Sequence, residues 1–270
     1  MTALEAALLG ILQGLTEFLP ISSSAHLLLA RSVFGWTVDP RFGLAFDVAV
    51  HLGTLAAVLT YFRTDVSALI RAALAPGTWL DRGGASTLLR AIAIGTVPVG
   101  IVGLSAADWI AMSLRNLEVA AAALAVGAGA MLLVERVAAG GREETDITAG
   151  EAIVLGMAQA AALVPGVSRS GAVLVVAMFL GLGRASAARF AFLLGIPAIL
   201  AAGAREAAAL SREGMPPGGD AAMAVGFVVS AVVGYLAIKY FLRYVVRHSL
   251  DPFAFYRLAL AGGMLVRGLF

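Results

Sequence analysis

The chain has 270 residues, of which 60% are hydrophobic and 13% charged, whereas soluble domains carry nearer a quarter of charged residues. The net charge is only +2 and the basic residues form no patch with interleaved aromatics, which argues against nucleic-acid binding. The absence of cysteine excludes disulfides, thiolate metal ligands and cysteine nucleophiles. The composition therefore predicts an integral membrane protein with about six to eight spans. The N-terminal MTALEAALLG lacks a basic region and carries Glu5, so we expect no cleaved signal peptide.

Apolar runs suited to full spans lie at 43–62, 88–107, 116–135, 188–208, 221–241 and 252–269. Two further apolar stretches, 4–34 and 150–181, are interrupted by LPISSSAH (19–26) and VPGVSRSG (164–171). Each stretch splits into pieces of about 14–18 residues, which are too short for a hydrocarbon core of about 30 Å. Polar backbone at this depth is tolerated only when it is buried in protein or lines a wet cavity. We interpret both stretches as re-entrant helical hairpins.

The two breaks resemble each other, and Gln13 and Gln159 precede them at nearly equal distances. Each half of the chain therefore contains one hairpin followed by three spans. Because three is odd, the second half must enter the membrane upside down relative to the first. The predicted fold is an all-α integral membrane protein, a single membrane domain built from two inverted-topology repeats, 1–136 and 147–270.

The orientation follows from the distribution of Lys and Arg. Eleven of the 19 basic residues lie in the loops after spans one, three and five and at the base of the second hairpin, and six lie on the opposite side. The other two, Arg169 and Arg257, lie inside apolar segments. The richer side is predicted to be cytoplasmic, which places both termini outside the cell membrane.

Gln13 and Glu17 precede the first break and lie four residues apart, so they share a helical face. An ionised carboxylate at membrane depth costs about 2.5–3.5 kcal/mol on insertion scales. Glu17 therefore needs a cationic partner or a metal ion. The alternative is a structural carboxylate near the membrane interface.

The serines of the first break, Ser22, Ser23 and Ser24, lie where a new helix begins. Unpaired N–H groups and the positive end of the helix dipole suit this position to a phosphate. His26 lies three residues after Ser23 and is close enough to accept its hydroxyl proton, the general pattern of an activated nucleophile. The alternative is an ordinary serine cap with a histidine reaching the interface.

The second break carries Ser168, Arg169 and Ser170. An arginine inside an apolar segment is costly, and its forked guanidinium suits the oxygens of a phosphate. If the halves fold together, Arg169 faces Glu17, Ser23 and His26; the alternative is a buried Arg169–Glu17 ion pair. Asp47 and His51 share another helical face and either line the cavity or bridge spans.

These segments closely resemble the undecaprenyl-diphosphate phosphatases of the bacitracin-resistance family. The resemblance is carried by QGLTEFLPISSSAHL (13–27), FDVAVHLGTLAAVL (46–59), PGVSRSGA (165–172) and ARFAFLLGIPAIL (188–200). It implies hydrolysis of undecaprenyl diphosphate to the monophosphate and inorganic phosphate, which recycles the carrier lipid of peptidoglycan synthesis. It further implies a site open to the outer face of the bacterial plasma (inner) membrane and a divalent cation, Mg²⁺ or Ca²⁺.

The same resemblance implies family roles for the residues that match its pattern, namely Glu17, Ser23, His26, Ser168 and Arg169. Gln13 stands where many members have Glu, so the role of metal ligand or base falls to Glu17. Ser24 and Ala25 replace the commoner Thr-Gly, and Val173 stands where Thr is frequent. We expect Glu17, Ser23, His26 and Arg169 to be catalytic, and Gln13, Ser22, Ser24, Ser168 and Ser170 to bind substrate.

The mechanism expected is attack of Ser23 on the terminal phosphorus after His26 removes its proton. Attack by His26 or directly by water fits the sequence equally well. The rival functions are a transporter or polyprenyl-phosphate flippase, since inverted repeats with broken helices are typical of transporters, and a membrane scaffold without chemistry. The expected partners are the polyprenyl diphosphate and membrane lipids; a homodimer is compatible with the sequence but not required by it.

Overall fold

A computed structural model describes residues 1–35, 40–75, 77, 84–213 and 219–268, and this part of the chain is all-helical. Its α-helices are α1 (Ala3–Phe18), α2 (Ser23–Phe34), α3 (Pro40–Tyr61), α4 (Arg63–Leu74), α5 (Gly84–Ser113), α6 (Leu117–Val137), α7 (Ala149–Ala161), α8 (Arg169–Phe179), α9 (Arg184–Glu213), α10 (Gly219–Val245) and α11 (Asp251–Gly268). A short 3₁₀ turn, Glu144–Asp146, precedes α7. Each of the six predicted spans falls on one helix, except that position 269 at the end of the sixth lies outside the described residues.

Four helices are long and apolar enough to cross a membrane by length and composition: α5, α6, the first 22 residues of α9, and α10. The part of α3 from Ala45 onwards passes the same test only together with α4, and the two are bent by 84°. The helix α11 is 18 residues long and carries three charged residues, so it is not among them. The prediction of a multi-pass membrane protein is confirmed.

The helix α4 is a correction to the sequence analysis, which treated the segment after 62 as a loop. Its polar side carries Asp65 in the first turn and Arg71 in the last turn, where each complements the helix dipole. Val66 and Leu69 pack against the main hydrophobic core. A helix with one apolar side that turns sharply away from a span is typical of a segment at the membrane surface.

Both interrupted stretches begin with the same helix-start motif. The Thr2 hydroxyl accepts a hydrogen bond from the Glu5 amide at 3.2 Å, and the Glu5 carboxylate accepts one from the Thr2 amide at 2.7 Å. Thr148 and Glu151 form the same reciprocal pair at the start of α7, at 3.3 and 2.8 Å. These capping boxes satisfy amides that a helix start leaves unpaired. The structure thus gives α1 and α7 equivalent beginnings.

The first helix of each interrupted stretch packs against a helix from the other half of the chain. The helix α1 packs along α10, and α7 packs along α5. Glycines permit the approach: a Cβ on Gly14 would lie 2.9 Å from the Gly234 nitrogen, and a Cβ on Gly156 would lie 2.3 Å from the Gly95 oxygen. Small residues at such contacts are typical of closely packed membrane helices.

An aromatic row lies in the main core. Phe18 and Phe192 pack edge to face with centroids 5.3 Å apart, and Phe192 also contacts Phe62 at 6.4 Å and Phe241 at 6.0 Å. Since Phe18 is the last residue of α1, this row anchors the helix end that carries Glu17.

Candidate functional site

The two breaks share an unusual backbone conformation. Ser22 and Ser168 are the N-cap residues of α2 and α8, and their φ angles are 72° and 68°. Residues with a side chain rarely adopt positive φ, and such strain costs of order 1–3 kcal/mol. Strain of this kind concentrates at functional sites. Its presence at the same position of both breaks marks them as a matched pair of anion-accepting helix starts.

Glu17 lies at the centre of the site and is only 7% exposed. Its Oε2 accepts hydrogen bonds from Gln13 Nε2 at 2.9 Å and from the Ser23 hydroxyl at 2.6 Å. Its Oε1 forms an ion pair with Arg169 from the second break. The cationic partner that a carboxylate at this depth needs is therefore supplied by the other half of the chain.

The remaining serines join the two breaks through backbone groups. The Ser170 hydroxyl donates to the Glu17 carbonyl at 3.2 Å, and the Gly166 amide donates to Ser24 Oγ at 3.5 Å. Ser22 Oγ lies 3.2 Å from Ser24 Oγ.

Ser168 caps its own helix by accepting from the Gly171 amide at 3.2 Å and lies 3.4 Å from the Ser170 hydroxyl. Both contacts of Ser168 lie within the start of α8, whereas Arg169 and Ser170 reach Glu17 of the first half.

His26 is bonded differently from the sequence expectation. Its Nδ1 donates to the Ser22 carbonyl at 2.7 Å, because a carbonyl can only accept. Its Nε2 then accepts the Tyr256 hydroxyl at 2.7 Å, and the two rings are parallel with centroids 5.6 Å apart. Ser23 donates instead to Glu17. The proton acceptor beside Ser23 is therefore a carboxylate, and not the imidazole that the three-residue spacing suggested.

His51 adds a second imidazole to the site. Its Nε2 lies 3.6 Å from Glu17 Oε2, and its Nδ1 lies 2.6 Å from the Asp47 carbonyl. Asp47 pairs with Arg31 of α2 and with Arg115 at 2.7 Å. Two roles were considered for these residues, lining the cavity and bridging spans. His51 thus lies at the site, and Asp47 connects separate elements.

Arg257 and Tyr256 were given no role by the sequence analysis. Arg257 is fully buried, and its guanidinium binds backbone carbonyls of both breaks. The signal that would have found Arg257 is the one used for Arg169, a charged residue inside an apolar segment. Nothing in the local sequence indicated the contact of Tyr256 with His26, which lies 230 positions away.

The oxygens around Glu17 suit a hard divalent cation. Among the described residues no three His, Cys, Asp or Glu side chains converge. However, Gln13 Oε1 is buried beside Glu17 without a hydrogen-bond partner. The Glu17 carboxylate, Gln13 Oε1 and the Ser23 hydroxyl are oxygen ligands of the kind that Mg²⁺ and Ca²⁺ prefer, and the phosphates of a substrate would complete the coordination.

Comparison with known proteins identifies the family of the chain. Residues 6–263 match the family described as "Bacitracin resistance protein BacA". A protein of Rubrobacter xylanophilus named undecaprenyl-diphosphatase is 46% identical over 96% of this chain and 95% of its own length. Proteins of the same name from Geobacter sulfurreducens and Hahella chejuensis are 44% and 42% identical, over 100% and 98% of this chain and 99% and 98% of their own lengths. The chain belongs to the BacA family of bacitracin resistance proteins.

Proposed function

We propose that this protein hydrolyses undecaprenyl diphosphate to undecaprenyl phosphate and inorganic phosphate. This reaction recycles the lipid carrier of peptidoglycan synthesis and confers resistance to bacitracin. The observation that carries the proposal is the contact of Glu17 with both Ser23 and Arg169, where a nucleophile, a base and a phosphate-binding cation from two breaks meet. The names of the relatives support the same reaction.

The fold proposed for this activity is a pair of inverted repeats, 1–136 and 147–270, in which α1–α2 and α7–α8 are re-entrant hairpins. Three matched features support it: the Thr-x-x-Glu capping boxes, the N-cap serines with positive φ, and the reciprocal packing of each hairpin on the other half. Helices α1, α2, α7 and α8 have 16, 12, 13 and 11 residues, shorter than a full span. Broken helices of two repeats then meet near the midplane.

In the proposed mechanism, the Arg169 guanidinium and the first amides of α2 and α8 bind the diphosphate. The Ser23 oxygen attacks the terminal phosphorus while its proton passes to Glu17 Oε2. A bond forms between Ser23 Oγ and phosphorus as the anhydride P–O bond breaks, and undecaprenyl phosphate leaves with the electron pair. Water then cleaves the phosphoserine, which releases inorganic phosphate and restores the Ser23 hydroxyl.

A divalent cation, Mg²⁺ or Ca²⁺, is proposed to be held by Glu17 and Gln13 Oε1 together with phosphate oxygens. When bound, it neutralises charge that develops on the transferring phosphoryl group. Gln13 also orients the Glu17 carboxylate through its Nε2, so the Nε2 and Oε1 atoms of the Gln13 amide have different roles.

The protein is proposed to lie in the bacterial plasma (inner) membrane with both termini outside and the site open to the outer face. The support is the excess of Lys and Arg in the loops assigned to the cytoplasm. The polyprenyl tail of the substrate stays in the lipid between helices, so only the head group enters the site.

Phosphate release from undecaprenyl diphosphate by the purified protein tests the function. We expect Arg169→Ala and Glu17→Gln each to lower kcat by about 10²–10³-fold, because each removes pre-placed charge from the transition state. The matched control is Arg205→Ala, which breaks an exposed ion pair with Asp108 and should leave kcat unchanged.

A correctly folded parent protein that releases no phosphate would contradict the hydrolase proposal. Movement of labelled undecaprenyl phosphate across vesicles containing that protein would then favour the transporter.

A further inference from the structure

The inference concerns Arg257 of α11, a fully buried cation that lies behind both breaks. Its acceptors are all neutral backbone carbonyls, in two groups. In the breaks they are Pro20 at 3.1 Å, Gly166 at 3.0 Å and Val167 at 3.3 Å. In α6 they are Ala123 and Leu124, both at 3.1 Å.

These five carbonyls match the five N–H donors of a guanidinium. The N–H donors of Arg257 therefore all bind backbone carbonyls. Arg169 is the arginine that pairs with Glu17. A buried charge without a carboxylate is tolerated only when hydrogen bonds of good geometry replace its hydration. Arg257 is consequently stable in this position only while both breaks and α6 hold their places.

The carbonyls that Arg257 binds are close to the two N-cap residues. Pro20 is two residues before Ser22, and Gly166 and Val167 directly precede Ser168. Because the peptide unit is planar and trans, a carbonyl that points towards Arg257 directs the N–H of the same unit away from it. Arg257 thus fixes peptide planes in the segments that lead into both strained caps.

We propose that Arg257 is a positioning residue that ties the two breaks to α6 and holds their helix starts at the separation that one diphosphate requires. This proposal rests on the proposed function, because the diphosphate is the ligand that both helix starts would bind.

Gly127 of α6 gives an independent way to displace Arg257 without changing it. A Cβ on Gly127 would lie 2.1 Å from Arg257 Nη2 and 2.7 Å from Cζ, so an alanine there must push the guanidinium away from its carbonyls. Gly129 lies on the same helix, and a Cβ on it would meet nothing within 4 Å. Gly127→Ala and Gly129→Ala therefore form a matched pair.

The first experiment measures kcat/KM for phosphate release together with the melting temperature of the purified protein. We expect Arg257→Lys and Gly127→Ala to lower kcat/KM by about a hundredfold, since small misplacements of binding groups have effects of this size. Lysine keeps the charge but has too few donors for five carbonyls. Gly129→Ala should match the parent.

A destabilised control separates positioning from general stability. Val245→Ala truncates a buried side chain at the end of α10, about 16 Å along that helix from Gly234, and should lower the melting temperature without lowering kcat/KM of the folded protein. Parental kcat/KM in Arg257→Lys and Gly127→Ala would overturn the proposal. So would an equal loss in Val245→Ala.

A second measurement does not depend on hydrolysis, so it distinguishes failure of this inference from failure of the proposed function. The chain has no cysteine, and Val33 of α2 and Phe179 of α8 are exposed. Spin labels on cysteines at these two positions report the distance between the second helices of the two breaks. We expect a narrow distribution in the parent and in Gly129→Ala, and a broadened or shifted one in Gly127→Ala. A distribution that Gly127→Ala leaves unchanged would overturn the proposal even in an inactive protein.

Discussion

In the proposed mechanism, the hydrogen bond between Ser23 and Glu17 links nucleophile activation to substrate binding. Glu17 pairs with Arg169 through one oxygen and accepts a hydrogen bond from the Ser23 hydroxyl through the other. In the proposed mechanism the diphosphate competes with Glu17 for the Arg169 guanidinium, so substrate binding loosens the ion pair that holds the carboxylate.

Ser23 is predicted to carry the phosphoryl group. Ser23→Ala should abolish turnover, and acid quenching of the parent with terminally labelled substrate should give phosphoserine at this position. Glu17→Gln should slow formation of this intermediate because the amide cannot accept the proton. Full activity in Ser23→Ala would exclude this route and leave attack by water or His26.

The cost of a charge at membrane depth was enough to predict that Glu17 and Arg169 need polar partners. The bonds of His26 were not predictable in this way. A spacing of three residues places two side chains on one side of a helix, but the strained Ser22 backbone and the distant Tyr256 decide where the imidazole points.

Equivalent sequence positions also do not ensure equivalent contacts. Gln13 Nε2 binds Glu17, whereas neither polar atom of the buried Gln159 side chain has a hydrogen-bond partner.

At the scale of elements, hydropathy located every long helix and both breaks. The helix α4 was not predicted because its charged residues interrupt the apolar ones that contact the core, so the segment contains no continuous apolar run. The breaks were recognisable because proline followed by serines cannot continue an apolar helix without leaving polar groups unpaired. The capping boxes at Thr2 and Thr148 are visible in the sequence as a Thr-x-x-Glu pattern.

The contact between α5 and α7 depends on Gly156. Gly156→Ala would place a Cβ 2.3 Å from the Gly95 oxygen and 2.9 Å from Pro98 Cδ, so the helices must separate. We expect a loss of about 1–3 kcal/mol of stability, the usual cost of overpacking, seen as a lower melting temperature in detergent. Gly150→Ala on the same helix meets nothing within 4 Å and should not lower it. Equal melting temperatures would show that this packing is not tight.

For the whole molecule, the repeated motifs predicted two similar halves, and the proposed inversion followed from counting spans. The pairing of helices could not be predicted in the same way, because the glycines that allow α1 to contact α10 look like any other small residues in an apolar run. Only the folded chain shows which small residues face each other.

The proposed orientation predicts which loops reagents can reach from outside. Ser113 and Gly141 are both exposed and lie in loops or helix ends on opposite sides of the proposed topology. In intact cells, a membrane-impermeant maleimide should label Ser113→Cys and not Gly141→Cys, whereas both should react after lysis. The parent chain lacks cysteine and supplies the unlabelled control. The reverse pattern would invert the topology.

The reciprocal packing of α1 on α10 and of α7 on α5 also governs the order in which the molecule can be completed during synthesis. The surface that receives α7 exists before α7 is made, but α1 emerges more than 200 residues before its partner. Until α8 is made, Glu17 lacks Arg169, and until α10 is inserted, the glycines of α1 lack the helix that they pack against. The helices α1 and α2 therefore remain without their packing partners at first, and the site is complete only when nearly the entire polypeptide has been translated.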